Sequence, residues 1–175
     1  QRVSNIKVHN RNLRWKVDND LEINSKNQII KNLRRRAKYI TFDLDKCSII
    51  LHLGMSGSLR IANNDDNYFL KHDHVEFLFE NEKIIYNDPR RFGSIHLTDD
   101  INKHRLINHL GPEPLSKDFN SKYLLSLCLR SKTNIKTLLM NQKNVVGIGN
   151  IYASETLYLS EVNPLKDSSK LTIDD

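Results

Sequence analysis

Gly111-Pro112-Glu113-Pro114 is the stretch on which the fold turns. Two prolines and a glycine in four residues interrupt regular structure. Before this break, apolar residues recur with the period of strands; after it, with the period of helices. Tyr39 to Leu44 and Ser48 to Leu53 flank Asp45-Lys46-Cys47 and predict a hairpin. Ile6 to His9, Leu13 to Val17, Ser58 to Ala62, His74 to Glu80, Lys83 to Tyr86 and Gly93 to Leu97 predict further short strands. Asn81-Glu82 is short enough to close a second hairpin. Asn63 to Asn67 is a polar loop whose side chains compete for their own backbone.

Beyond the break, Phe119, Tyr123 and Leu127 share one helical face, and Ile135, Leu138 and Leu139 follow at i, i+3 and i+4. Ile151 to Leu159 predicts a third helix, ended by Asn163-Pro164. Strands first and helices second is an α+β order with segregated layers. The domains expected are 1–111, a β-sandwich or barrel, and 112–175, a helical domain. No internal repeat or low-complexity tract is present.

Lys and Arg number 27 against 21 acids, for a formal net charge of +6. The excess favours an acidic partner such as nucleic acid. Cys47 and Cys128 are the two cysteines, so a four-cysteine zinc cluster is excluded. No apolar run approaches the roughly 18 residues of a membrane span and no signal peptide opens the chain, so a cytoplasmic protein is expected.

Several segments carry chemistry. Asn87-Asp88-Pro89-Arg90-Arg91-Phe92-Gly93 puts two guanidiniums and a ring on one turn. Such a turn suits an aromatic wedge between stacked bases with cations at the phosphates. Its bland counterpart is a surface loop. In His52-Leu53-Gly54-Met55-Ser56-Gly57-Ser58, Met55 sits between glycines, where it can act as a flexible apolar plug. Arg34-Arg35-Arg36-Ala37-Lys38 precedes a strand, either as a solvated edge or with Lys38 facing a phosphate or sugar. In Lys71-His72-Asp73-His74 the two imidazoles are expected on one strand face; a metal site lacks a third ligand, and His72 suits a phosphate contact. Gly147 to Tyr152 opens a helix whose free N–H groups favour an anion. Lys132 and Lys136 stand at the start of the preceding helix.

Together these segments make the chain resemble the formamidopyrimidine-DNA glycosylases. The matching runs are RRRAKY, HLGMSGSLRI, KHDHVEF, NDPRRFG, HLGPEPLS and Ile135 to Pro164, including VVGIGNIYASETL. The sister family, endonuclease VIII, shares the helical domain but lacks HLGMSG and the Met/Arg/Phe set. The resemblance implies a β-sandwich, a helix–two-turns–helix (H2TH) domain and a zinc finger beyond it, with excision of 8-oxoguanine and formamidopyrimidines from double-stranded DNA by a monomeric glycosylase and AP lyase. It assigns void filling to Met55 and Arg90 and a wedge to Phe92. It assigns DNA contacts to His72, Arg90, Lys132 and Asn150, with Tyr152 close by, and to Lys38 a phosphate contact and proton donation in β-elimination. Arg91 receives no role.

The family's nucleophile is an N-terminal proline followed by glutamate, whereas residue 1 here is Gln. The zinc finger is also outside these residues, so no metal site is expected within them. A fragment incomplete at both ends and inactive by itself is therefore expected, with residues 165–175 beginning a further helix. Two alternatives are a non-catalytic damaged-DNA-binding module and an RNA- or ribosome-associated basic protein.

Overall fold

The computed structural model describes residues 1–66 and 68–175. The chain divides into two compact units, Gln1–His104 and Arg105–Asp175.

Among the described residues the first unit holds eight strands: β1 (Asn5–Val8), β2 (Asn32–Arg36), β3 (Tyr39–Asp43), β4 (Ser48–His52), β5 (Ser58–Asn63), β6 (Asp73–Leu78), β7 (Glu82–Asn87) and β8 (Ser94–Thr98). They form two four-stranded antiparallel sheets, in the orders β1-β6-β7-β5 and β2-β3-β4-β8. Strand alternation sends one set of side chains from each sheet to a common core. Ile6, Val75, Phe77 and Tyr86 come from one sheet, and Phe42, Ile49, Leu51 and Ile95 from the other. The rings of Phe42 and Phe77 stack at 5.8 Å between centroids across that core. The arrangement is a β-sandwich, one of the two forms the strand pattern suggested and the one the resemblance implied.

One local expectation is corrected, and two elements lie where the sequence carries no signal. Leu13 to Val17 is not a strand but an excursion closed by a single bridge, Asn12 to Lys16. Leu13 and Val17 are buried, which produces the alternation, but both backbone N–H groups return to the Arg11 carbonyl, which leaves them no ladder to join. Asn32–Arg36 is a strand although it has no apolar alternation; it is an exposed edge, where charge serves as well as burial. The short helix α1 (Leu21–Ser25) spans too few residues to show a period.

The second unit holds α2 (Ser121–Leu129), α3 (Ile135–Met140) and α4 (Asn150–Leu159). Asn120 and Asn134 cap α2 and α3 by accepting from the N–H groups of Tyr123 and Thr137. Cys128, Ile135, Leu138, Leu139, Leu157 and Val162 form its core. Lys136 Nζ donates to Ser154 Oγ at 3.0 Å and ties α3 to α4. The helix expected within 165–175 is a single 3-10 turn, Ser168–Lys170, capped by Asp167. The polar loop ends at Asn67, which lies outside the described residues.

Candidate nucleic-acid interface

In the first unit everything converges on Asp88. Its carboxylate is fully buried and accepts three hydrogen bonds: from Ser56 Oγ at 2.6 Å, the Tyr86 hydroxyl at 2.9 Å and the Gly93 N–H at 2.9 Å. Burial pushes such a carboxyl up, but these donors outweigh it and hold the Asp88 pKa below its ordinary value. The same burial, with the neighbouring carboxylate, raises the Tyr86 phenol. The Asp88 carbonyl accepts from Arg91 N–H at 3.2 Å and lies 2.8 Å from His74 Nε2. Asp88 thus clamps both ends of the turn and leaves Pro89 to Phe92 exposed at its tip.

The 88–93 turn is bolted to the 54–57 turn. Ser56 Oγ binds the Asp88 carboxylate and also accepts from Arg90 N–H at 3.2 Å. Gly54 adopts φ +67°, and a Cβ there would lie 2.6 Å from both Gly93 N and Phe92 C. A Cβ at Gly93 would lie 1.9 Å from the Tyr86 hydroxyl oxygen. No side chain fits at either position, so the backbones touch. Met55 is 74% exposed and Phe92 44%, so both large apolar side chains stand at the surface of these joined turns. The Arg90 guanidinium lies over the Phe92 ring at 4.6 Å. Arg91, which has no role by resemblance, takes a left-handed backbone at φ +56° and closes the turn through its N–H. That conformation costs a non-glycine residue about 1 kcal/mol.

His52 supports the Met55 turn from below: its Nδ1 accepts from Gly54 N–H at 3.0 Å. Burial, then the charges of Arg14 and Lys38, hold its pKa below the ordinary histidine value. The neutral ring required by this bond is therefore favoured in the folded state. Stability from it is complete above the unfolded value near 6.5 and declines as pH falls below that toward the depressed folded value. Normalised amide exchange at Gly54 should accordingly accelerate as pH falls from 7 to 5. Gly93, bonded to a carboxylate held below its ordinary range, should remain protected over that interval.

Lys38 is exposed at the two-residue turn joining β2 to β3. Ala37 before it is buried and left-handed at φ +52°, and its carbonyl accepts from Arg35 Nη1 at 2.8 Å. Strain of this kind persists only where the surroundings impose it. His72 is not on the face of β6 with His74 but in the turn before it, with ring centroids 6.4 Å apart. The pairing of Asp88 N–H with the His72 carbonyl sets that turn beside the clamp. Among the described residues no three His, Cys, Asp or Glu are grouped to hold a metal ion. Cys47 and Cys128 are buried in separate cores.

In the second unit, Lys132 is exposed in the link between α2 and α3. Gly149 caps α4 with no side-chain acceptor, and Asn150 opens the helix. Ile151 and Tyr152 on its first turn are 76% and 70% exposed. Gln142 shapes the approach: its Oε1 accepts from Gly147 N–H and its Nε2 donates to the Ile148 carbonyl. An uncapped helix start has N–H groups available for an anion.

Met55, Arg90 and Phe92 are thus brought together, while Lys38 and His72 stand on other turns of the same unit. Sequence reasoning missed Ser56, Tyr86, Asp88 and Gln142 as the residues that hold these turns. The Asp-Pro pair in the 88–93 turn was the one available signal, since aspartate often bonds its own loop.

Residues 1–95 match the formamidopyrimidine-DNA glycosylase N-terminal domain, and residues 110–175 match the formamidopyrimidine-DNA glycosylase H2TH domain. The chain is 43% identical over 175 residues to a formamidopyrimidine-DNA glycosylase of Marinobacter nauticus, covering 99% of this chain and 64% of that protein. It is 47% identical over 167 residues to one from Escherichia coli, covering 95% and 61%. The chain thus spans less than two thirds of the length of these relatives. Among solved structures, Lactococcus lactis formamidopyrimidine-DNA glycosylase bound non-covalently to DNA containing an AP site superposes with a TM-score of 0.90, at 31% identity, covering 99% of this chain and 67% of that one. The same enzyme with DNA containing FAPY-dG also gives 0.90, at 31% identity, covering 98% and 66%. With both halves of the chain matched in order, the chain belongs to the formamidopyrimidine-DNA glycosylase family.

Proposed function

We propose that this chain is the DNA-gripping part of a base-excision glycosylase and AP lyase acting on oxidised purines. The observation that carries this reading is the Asp88 clamp, which fixes exposed Met55, Arg90 and Phe92 on two fused turns. Exposed apolar side chains on a rigid, basic turn fit a wedge for stacked bases better than they fit solvent.

Extruding a nucleotide from a duplex costs a few kcal/mol. In this reading Phe92 enters the stack beside the base opposite the lesion, and Met55 and Arg90 occupy the space the flipped nucleotide leaves. Because the turns are held beforehand, little ordering is paid on insertion. His72, Lys132, Asn150 and Tyr152 hold the backbone, Asn150 at the uncapped start of α4. Lys38, on its strained turn, holds a phosphate by charge and can protonate a leaving oxygen during β-elimination. The residues named here grip and open lesion DNA, and none of them is assigned the attack on the sugar carbon.

The test is binding to matched duplexes with and without 8-oxoguanine or an abasic site, followed by borohydride trapping. Preference for the lesion duplex without a covalent adduct is the expected result. Equal affinity for both duplexes would remove the insertion role, and a trapped adduct would place a nucleophile inside the chain. Lys132→Ala should weaken binding to both duplexes equally and make the salt dependence shallower by about one unit, as a phosphate contact requires.

A further inference from the structure

We propose that Arg14 is a further DNA-backbone contact, its guanidinium held ready for a phosphate beside the Phe92 turn by stacking on Trp15. The proposal rests on the DNA-binding reading above. Arg14 belongs to the excursion closed by the Asn12–Lys16 bridge, and its N–H donates to the Gly93 carbonyl at 3.2 Å. The excursion is thereby fastened to the end of the turn whose tip carries Arg90 and Phe92. The side chain of Arg14 is exposed, and its guanidinium carbon lies 4.7 Å from the centre of the Trp15 ring. Trp15 lies in turn 5.6 Å from the His96 ring, and His96 lies 5.2 Å from His104. Four planar groups therefore follow one another, with tilted ring contacts over a buried His96, and Arg14 is the exposed end of the series.

Two features separate this arginine from a solvated one. Its positive charge, after burial and together with that of Lys38, helps hold the His52 pKa below the ordinary histidine value beneath the Met55 turn. Among the described residues no carboxylate pairs with the Arg14 guanidinium, and the Asp88 and Asp18 carboxylates accept from other donors. A flat guanidinium fixed on an aromatic face keeps its edge donors free for a bidentate anion and gives up little entropy when it binds one. A phosphodiester oxygen pair on DNA seated at the Phe92 turn fits that edge.

Binding of the protein to undamaged and abasic duplexes, measured across a salt series for wild type, Arg14→Ala and Arg14→Lys, tests this. Arg14→Ala should lose about tenfold in affinity for both duplexes, with the plot of log affinity against log salt shallower by about 0.9 for each. Lesion preference and melting temperature should stay at wild-type values, because the Gly93 bond is made by the backbone. Arg14→Lys should recover the salt slope but not the full affinity, since an ammonium has no planar face to stack. Wild-type binding with an unchanged slope in Arg14→Ala would overturn this proposal alone and leave Arg14 as cover for Trp15. A wild-type protein with no affinity for either duplex would overturn the DNA-binding reading as well.

Discussion

Asp88→Ala should lower the melting temperature of the Gln1–His104 unit by about 10–20 °C, the largest loss expected from any single change. Alanine removes a fully buried carboxylate and strands three donors, Ser56 Oγ, the Tyr86 hydroxyl and Gly93 N–H. Each buried donor left without a partner costs about 1–3 kcal/mol, so a total of roughly 3 kcal/mol or more is expected. Asp88→Asn should fall between, because its amide keeps one acceptor but turns an NH2 toward a donor. The pH dependence has a definite sign. The folded-state pKa of Asp88 is lowered, so its contribution is fully present above the unfolded value near 4 and is lost as pH falls through the folded value. The gap between wild type and Asp88→Ala should therefore narrow below about pH 4. Thermal melts at pH 7 and pH 3 check both points, and a constant gap would mean that Asp88 is not the ionised centre of the clamp.

Phe92→Ala should cost about 1–3 kcal/mol of binding to a lesion duplex, roughly 5- to 150-fold, and far less on an undamaged duplex. A stacked ring recovers part of the unstacking free energy only when the helix has been opened. Arg90→Ala should act in the same direction, because it removes both the void-filling cation and the group lying over the Phe92 ring. Neither change should alter stability greatly, since both side chains project from the turn and the clamp beneath is made by other groups. Equal losses on the two duplexes would reassign both residues to plain backbone contact. The contrast with Lys132→Ala, in which equal losses are expected, makes the comparison internally controlled.

The gross order of the fold was legible. Alternation in Ile40, Phe42, Ile49 and Leu51 marked the β3–β4 hairpin, and the 3.6 period in Ile135, Leu138 and Leu139 marked α3, because both patterns reflect which side of a regular element meets the core. Leu13, Trp15 and Val17 alternate as well, yet the N–H groups of Leu13 and Val17 close locally on Arg11. Alternation reports burial, not ladder pairing, and so it misread that segment. Asn32–Arg36 erred the other way, because an edge strand with charged side chains carries no burial signal.

The tips of the site were legible for a related reason. Met55, Arg90 and Phe92 stand out because large apolar or cationic groups on Gly- and Pro-bearing turns have no core to enter. By itself the sequence determined the order of strands before helices and the side chains offered at those tips, both of which follow from local composition and period. The tertiary structure alone decided that Ser56 meets Asp88 from 32 positions away, that Gly54 lies against Phe92 and Gly93, and that Arg14 is tied to the Gly93 carbonyl. No local pattern encodes such contacts. They exist because two sheets packed on one core bring the ends of distant strands together, and the buried carboxylate can be ionised there only once its three donors arrive with them.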